Sequence, residues 1–369
     1  MANQVVIVGG GVAGCATGYY LAKAGVGVTI IEREGVGTQA SGYSAGGLNP
    51  LQGAGIPGPL GLLAIESFRM HRSLWGPLRD ESGVDFHPKT VSGLRLISDD
   101  SEIEELQETL DIFEAAEDFS AHWIDAQDVR EVEPRVASGF SRALYTYGNA
   151  ALDSYLFTLA LSKAAQTMGA TVRQGAVTGL KRTTGDRAGG VLLEDGELDC
   201  DMVVLASGPW SAEAEPWIGS PIPVEPFKGE ILRMDLPGPP LASDVSSGHT
   251  SLYQRAQGLV WIGATEERHG FDREPSQSAR QTLMDGAIKL MPAMSEAKLV
   301  KHTACLRPLT PDWLPIIGRA PNLDNVYLAT GAGKKGILIS TGMGKAVADL
   351  ITDGRTELPV GEFTPERFL

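Results

Sequence analysis

The sequence predicts an α/β protein, in which a discontinuous Rossmann-like dinucleotide-binding domain carries an inserted mixed or antiparallel β-sheet domain with helices. Three observations predict it. An apolar run, Gln4 to Val8, breaks into Gly9-Gly10-Gly11-Val12-Ala13-Gly14 and is followed by a helical pattern and a second apolar run ending at Glu32. Two more buried-strand runs, Asp201 to Ala206 and Val326 to Ala329, recur in the middle and near the end of the chain. Between them, from Pro223 to Arg307, alternating segments dominate.

The first element is a strand, a glycine turn and a helix. Gly9 allows the turn, Gly11 lets backbone approach a phosphate with no Cβ in the way, and Gly14 lets helix and strand pack closely. Ala13 to Ala24 has apolar residues at helical spacing, Gly25 stops the helix, and Val28 to Glu32 is the next strand. The free amides and positive dipole end of such a helix suit a pyrophosphate. Glu32 stands at about the separation expected of an acid that accepts hydrogen bonds from an adenosine ribose and repels a 2′-phosphate, which disfavours NADP. The alternative is a surface glutamate at a strand end.

A self-contained NAD-binding fold would continue from Glu32 into another helix and a third parallel strand. Here Gly35 to Pro59 is instead dominated by Gly, Ser, Ala and Pro and includes Ser41-Gly42-Tyr43-Ser44-Ala45-Gly46-Gly47-Leu48. Small residues over that length let backbone lie against an extended ligand; the alternative is a flexible surface loop. Helical periodicity follows from about Leu60 to Arg79, then strand-like pieces around Asp85 to Ser98 and an acidic, solvated helix from Ser101 to Glu117. A helix from Asp153 to Met168 leads into Gly169 to Arg173, a return to the nucleotide sheet, and Val177 to Arg182 with Gly190 to Leu193 read as a meander. Asp201 to Ala206 ends at Ser207-Gly208-Pro209-Trp210-Ser211, a strand-to-helix turn at the ligand edge of a parallel sheet. Glu230 to Met234 and Leu259 to Gly263 are strands of the inserted sheet, interrupted by a helix near Ser276 to Met291. Last, Val326 to Ala329 breaks at Gly331 to Gly336 and enters a helix from Ile337 to Asp353. The expected division is therefore 1–80, 151–218 and 316–369 for the nucleotide domain, and 81–150 and 219–315 for the substrate domain.

At 369 residues, 43% hydrophobic and 21% charged, the chain buries a large core and divides into about two domains. Its formal net charge of -15 argues against nucleic acid or an anionic membrane as a partner. No run approaches a membrane span, and the first strand lies so near Met1 that no cleaved targeting peptide is expected, which points to the cytoplasm. Cys15, Cys200 and Cys305 are too scattered for a disulfide framework or a metal site, and no metal is expected. Oligomeric state is left open.

Taken together these pieces resemble the D-amino-acid oxidase family of flavoproteins, especially its glycine oxidase, sarcosine oxidase and D-amino-acid dehydrogenase branches. The resemblance covers most of the chain. It is carried by Gly9 to Glu32, Ser41 to Leu48, Val203 to Trp210, Cys305-Leu306-Arg307-Pro308-Leu309-Thr310-Pro311-Asp312, Pro315 to Gly318, and Gly331 to Leu338. It implies FAD. Gly9, Gly11, Val12, Ala13, Gly14, Glu32 and Arg33 would hold the adenosine and its phosphates, with Val177 near adenine and Ser207, Gly208 and Trp210 at the turn beside them. Ala40, Ser41, Ala45, Gly46, Gly47 and Leu48 would line the pyrophosphate and isoalloxazine, and Gly333, Gly336, Ile337 and Leu338 the pyrimidine edge of the flavin. Independently of the family, amides and a helix dipole at Gly336-Ile337 suit the negative charge that a reduced flavin develops near N1 and O2.

The resemblance also implies the chemistry, oxidation of a C–N bond in an amino acid or N-substituted amino acid by hydride transfer from substrate carbon to flavin N5, with the imine then hydrolysed. Arg307 would grip the substrate carboxylate, as a planar guanidinium does bidentately; the alternative is a structural ion pair. Lys334 falls where glycine oxidases carry an arginine and Lys335 where sarcosine oxidases carry a lysine, and the choice between them stays open. The chain departs from the family in three places. Ser251 stands where glycine oxidases have a carboxylate-binding tyrosine, with Tyr253 two residues on and on the same strand face, either a substitute or core. Trp261 replaces the oxygen-activating lysine of sarcosine oxidases, so oxidase and dehydrogenase both stay open. Cys305 falls at the sarcosine oxidase flavin-linking cysteine, but the adjacent Arg-Pro follows the other branch, so non-covalent FAD is expected. Two other functions remain: a flavin dehydrogenase of 2-hydroxy acids, with His302 or His269 as base, and a flavin-binding protein without turnover.

Overall fold

The computed structural model describes residues 4–97, 102–183 and 185–369. Ser98 and Ser101, at the ends of the expected strand and acidic helix, lie outside the described residues, and those elements run Lys89–Ile97 and Ile103–Glu114.

A six-stranded sheet is ordered Ile316–Arg319, Val326–Thr330, Met202–Leu205, Gln4–Val8, Gly27–Glu32, Thr171–Gln174. All its pairings are parallel except that of Ile316–Arg319 with Val326–Thr330. Its central strands are apolar throughout because both faces are covered. On one face lie helices Val12–Lys23, Gly61–Ser82, Ser154–Thr167 and Gly336–Thr352, which share a single apolar core with it. A second core on the other side involves the three-stranded meander Val177–Arg182, Ala188–Leu193, Gly196–Asp199. The meander thus has one more strand than its sequence suggests, since Gly196–Asp199 is short and polar.

The second large sheet is ordered Lys298–Leu309, Glu225–Asp235, Val260–Gly263, Thr250–Gln254, Asp244–Ser247, Lys89–Ile97, Arg142–Ala151, Gly47–Leu48, with Ser120–Asp125 also paired to Arg142–Ala151. It is mixed: Asp244–Ser247 pairs parallel with Lys89–Ile97 and the remaining pairs are antiparallel. Gly47–Leu48 belongs to this sheet, so the small-residue segment ends by crossing from one sheet to the other.

Glycine decides two close approaches in the first unit. Gly9 has φ +112°, and a Cβ there would sit 2.4 Å from the carbonyl oxygen of Ala206. A Cβ on Gly14 would lie 2.0 Å from the Gly9 carbonyl, so the helix could not approach the turn. Two of these helices, Val12–Lys23 and Gly336–Thr352, also meet backbone to backbone, and a Cβ on Gly344 would be 2.6 Å from the carbonyl carbon of Ala16. Gly344→Ala is therefore expected to destabilise the protein by about 1–3 kcal/mol in urea unfolding, as overpacking of a tight core does.

Candidate functional site

The C-terminal ends of four parallel strands, at Val8, Glu32, Ala206 and Thr330, open on one cavity of about 780 Å³. This is the edge at which open α/β sheets bind ligands. Two helix N-termini line it with no cap from their own N-cap residues: Gly11-Val12, starting Val12–Lys23, and Gly336, starting Gly336–Thr352. Their first amides and dipole ends offer positive potential to an anion. Ser41 Oγ accepts from the Val12 amide at 2.9 Å, tying the small-residue segment to the first helix. Glu32 reaches back over the turn, its Oε2 accepting from the Gly10 amide at 2.7 Å and its Oε1 from the Glu34 amide at 2.9 Å.

The structure brings together on this cavity Gly9, Gly11, Val12, Ala13, Glu32, Arg33, Ala40, Ser41, Ala45, Gly46, Gly47, Val177, Ser207, Gly208 and Trp210, and from the other end of the chain Arg307, Gly333, Lys334, Gly336 and Ile337. Gly14 is not on the wall; its work is the contact with Gly9. Leu48 and Lys335 line a second cavity of about 310 Å³, and Leu338 is buried in the core and lines neither. Gly47, Tyr253, Arg255 and Lys334 line both cavities.

Arg307 is half-buried on the strand Lys298–Leu309, and its Nη1 donates to the carbonyls of Lys228 and Thr265, both at 3.3 Å. Among the described residues no carboxylate lies within ion-pair distance of it. A Cβ on Gly229 would sit 2.1 Å from its Nη2, so the guanidinium lies flat over the next strand where only glycine leaves room. Lys334 pairs with Glu266 and stands 5.0 Å over the ring of Trp313. Lys335, by contrast, is drawn inward and donates to the carbonyls of Asn49, at 3.2 Å, and Gln52. Burial, helped by Lys334, lowers its ammonium to about 8.

Tyr253 is half-buried, with the Arg255 guanidinium 4.8 Å over its ring; burial raises its phenol, so it stays neutral, and Ser251 is a hydrogen-bond partner. The serine and tyrosine that share a strand face are thus a contacting pair. Trp261 is 8% exposed and carries the Arg233 guanidinium 3.9 Å over its ring; neither residue lines either cavity. Cys305 lines the large cavity, and burial pushes its thiol up despite nearby Arg307. His302 lies 2.7 Å from Glu230 in a buried group that includes Lys228, and His269 is exposed; neither is on a cavity wall, so the base required for alcohol oxidation is absent from both positions.

Several lining residues escape sequence reasoning. Arg255, 6% exposed, is the chief one: it forks onto Asp244 at 2.9 and 3.0 Å and donates from Nε to the Ala45 carbonyl at 2.5 Å. It joins the mixed sheet to the small-residue segment. No motif marks it, because its partners are 11 and 210 residues away. Phe271 stacks on Trp210 at 5.9 Å, Arg33 covers the same ring at 4.0 Å, and Arg273 pairs with Glu34 at 2.9 Å, so a loop of the mixed sheet overlies the nucleotide edge. Behind the wall, His71 is fully buried with Nε2 2.9 Å from the Ile337 carbonyl, which only accepts, so Nε2 carries the proton.

The model of the DAO family, described as FAD dependent oxidoreductase, matches residues 4–350. The chain belongs to this family. Glycine oxidase of Pseudomonas aeruginosa is 30% identical to it over 373 residues, covering 99% of each protein. D-amino acid dehydrogenase of Paramagnetospirillum magneticum is 27% identical over 99% of each. The solved structure of glycine oxidase from Geobacillus kaustophilus shares its fold with a TM-score of 0.92 and 28% identity, covering 100% of this chain and 99% of that one.

The cofactor of the family is FAD, and the large cavity fits it: an extended wall of glycines and small residues links two helix N-termini, with Glu32 at the second strand end. Among the described residues no helix is long and apolar enough to cross a membrane.

Two outcomes follow from the junctions around the cavity. Arg255→Met strands the Asp244 carboxylate and is expected to cost about 3–5 kcal/mol in chemical denaturation, as loss of one partner of a buried pair does. His71 is lowered from 6.5 to about 4, chiefly by burial. The unfolded chain therefore takes up a proton below 6.5 that the folded chain refuses until about 4, so this contribution is complete above pH 6.5 and is lost as pH falls to about 4. His71→Gln should flatten the fall in stability across that window by an amount on the order of 3 kcal/mol, read from denaturant midpoints at each pH.

Proposed function

We propose that this FAD-dependent oxidoreductase oxidises the C–N bond of an amino acid or N-substituted amino acid, the activity for which its glycine oxidase and D-amino acid dehydrogenase relatives are named. The observation that carries the reading is Arg307, a half-buried guanidinium on the cavity wall that spends its contacts on two carbonyls and has no carboxylate partner among the described residues. A half-buried cation in that state is stabilised by an anionic ligand, and a guanidinium selects a carboxylate.

Bound FAD supplies the acceptor for the two electrons and the hydrogen that leave the substrate carbon. The residues of the chain bind and orient. Arg307 anchors the carboxylate, and Lys334, paired with the exposed Glu266 and over the ring of Trp313, adds a second positive charge at the same wall. Neutral Tyr253 offers its hydroxyl without repelling the anion. The amine enters neutral, so no protein base is required, and the imine product is hydrolysed by water. The amides at Gly336 and Ile337 lie where negative charge on the reduced cofactor would be stabilised.

Residues 1–80, 151–218 and 316–369 are assigned to cofactor binding and 81–150 and 219–315 to the substrate side. FAD is held non-covalently, since Cys305 has a thiol whose reactive form is disfavoured by burial. A reducing cytoplasmic setting suits the three unpaired thiols.

Arg307→Met is expected to lower kcat/KM for a carboxylate-bearing amine by roughly 10²–10³, with Arg307→Lys recovering part of it. The measurement is anaerobic bleaching of the flavin by glycine, sarcosine and D-alanine; unchanged substrate affinity in Arg307→Met overturns the assignment. Acid precipitation should leave all the yellow colour in the supernatant, and colour retained by the pellet would show a covalent link.

A further inference from the structure

The connection 264–276, between the strand Val260–Gly263 and the helix Gln277–Leu290, has a fixed root and an exposed tip. Its root is held by two buried side chains of the strand Glu225–Asp235, Lys228 and Glu230. On the outgoing limb the Lys228 amide donates to the Glu267 carbonyl at 2.9 Å, and the Glu267 amide returns the bond at 3.0 Å. On the returning limb Lys228 Nζ donates to Asp272 Oδ2 at 2.7 Å and to the Glu274 carbonyl at 2.6 Å, while Glu230 Oε2 accepts from the Ser276 amide at 2.9 Å. The carbonyls of Lys228 and Thr265 that receive Arg307 belong to the same root. Buried charges paired in this way are costly to separate, so the root does not move.

The tip is built differently. Residues 268–275 are all exposed, and they reach the nucleotide domain through two side chains. Phe271, 51% exposed, stacks on Trp210, and Arg273 Nη1 donates to both oxygens of Glu34, at 2.9 and 3.2 Å. Exposed stacks and exposed ion pairs are individually weak, so these contacts break and re-form readily. Their position matters more than their strength. Trp210 follows the strand Met202–Leu205 and Glu34 follows Gly27–Glu32, and between those two in the sheet lies Gln4–Val8, which ends in the glycine turn. The tip therefore straddles the adenosine end of the large cavity. It holds wall residues there: Trp210 and Arg33 line the cavity, and the Glu34 amide donates to Glu32. Phe271 and Arg273 themselves line neither cavity.

We propose that residues 268–273 form a latch across the adenosine end of the FAD cavity, which lifts from Trp210 and Glu34 to let the cofactor enter or leave. The latch sets the rate of FAD exchange and not the strength of binding, because its two anchors grip the wall rather than the cofactor, and lifting serves entry and exit equally. It depends on FAD and is independent of which substrate bond is oxidised.

Dilution of the FAD-loaded protein tests it. The growth of free-flavin fluorescence gives the release rate, and the level at which it settles gives Kd. Phe271→Ala and Arg273→Gln are each expected to speed release by roughly threefold or more, and together by about tenfold, with Kd staying within about twofold of the wild type. Phe271→Tyr and Arg273→Lys should keep the slow rate. Unchanged release in Phe271→Ala and Arg273→Gln overturns the latch. So does a rise in Kd that matches the rise in release rate, because a lost structural or binding contact speeds exit and leaves entry unchanged. Both side chains are exposed, so neither variant opens the core, and each decides the matter by itself where the other fails to fold.

Discussion

The helix that begins the nucleotide site and the helix that ends it lean on each other through a glycine. With no side chain at Gly344, its backbone rests on Ala16, and the two helices close to a separation that any Cβ would prevent. That contact fixes how both lie on the parallel sheet, and so where both N-termini point. One end suits phosphate and the other suits charge on a flavin ring, and a single rigid contact keeps them aimed at the same cavity. The close fit of Gly14 to the Gly9 carbonyl does the same for the turn itself.

The mixed sheet is joined to this frame by charge as well as by packing. Arg255 spends its guanidinium on Asp244 within its own sheet and on the Ala45 carbonyl outside it, bringing the small-residue segment against the wall that carries Tyr253. Arg307 is arranged oppositely. It lies over Gly229 with two long carbonyl contacts, so one arginine is fully committed to structure and the other keeps its capacity for a ligand. The contrast separates the two roles more clearly than residue type does.

Much of this was legible from sequence where the cause is local. The strand, glycine turn and helix of Gln4 to Glu32 each follow from neighbours a few residues apart, and so does the Gly336 helix. Two long strands of the mixed sheet, Lys298–Leu309 and Arg142–Ala151, have no separate mark in the sequence; in the second, alternation is broken by Thr146 and Asn149, which face a cavity. Arg255 was missed because its partners are brought to it only by the completed fold. The choice between Lys334 and Lys335 was beyond spacing altogether: both lie on one tight turn, and only the carbonyls of Asn49 and Gln52, far away in sequence, decide which is drawn inward. For His302 the sequence showed a histidine near Arg307, but strand pairing sends it to Glu230.

The order of strands in the nucleotide sheet has a consequence for biosynthesis. Gln4–Val8 lies between Gly27–Glu32 and Met202–Leu205, which is itself held by Val326–Thr330. The two ends of the cofactor cavity are made far apart in time, since Gly336 and Ile337 are added after nine-tenths of the chain. On the ribosome the glycine fingerprint emerges first, and its two apolar strands, paired with each other, must wait with their outer edges uncovered for Thr171–Gln174 and Met202–Leu205. Such long-range pairing is slow to nucleate and leaves strand edges uncovered, so capture of the flavin is an event of late translation or after release, and nascent chains lacking their final segment are the form most in need of chaperone protection.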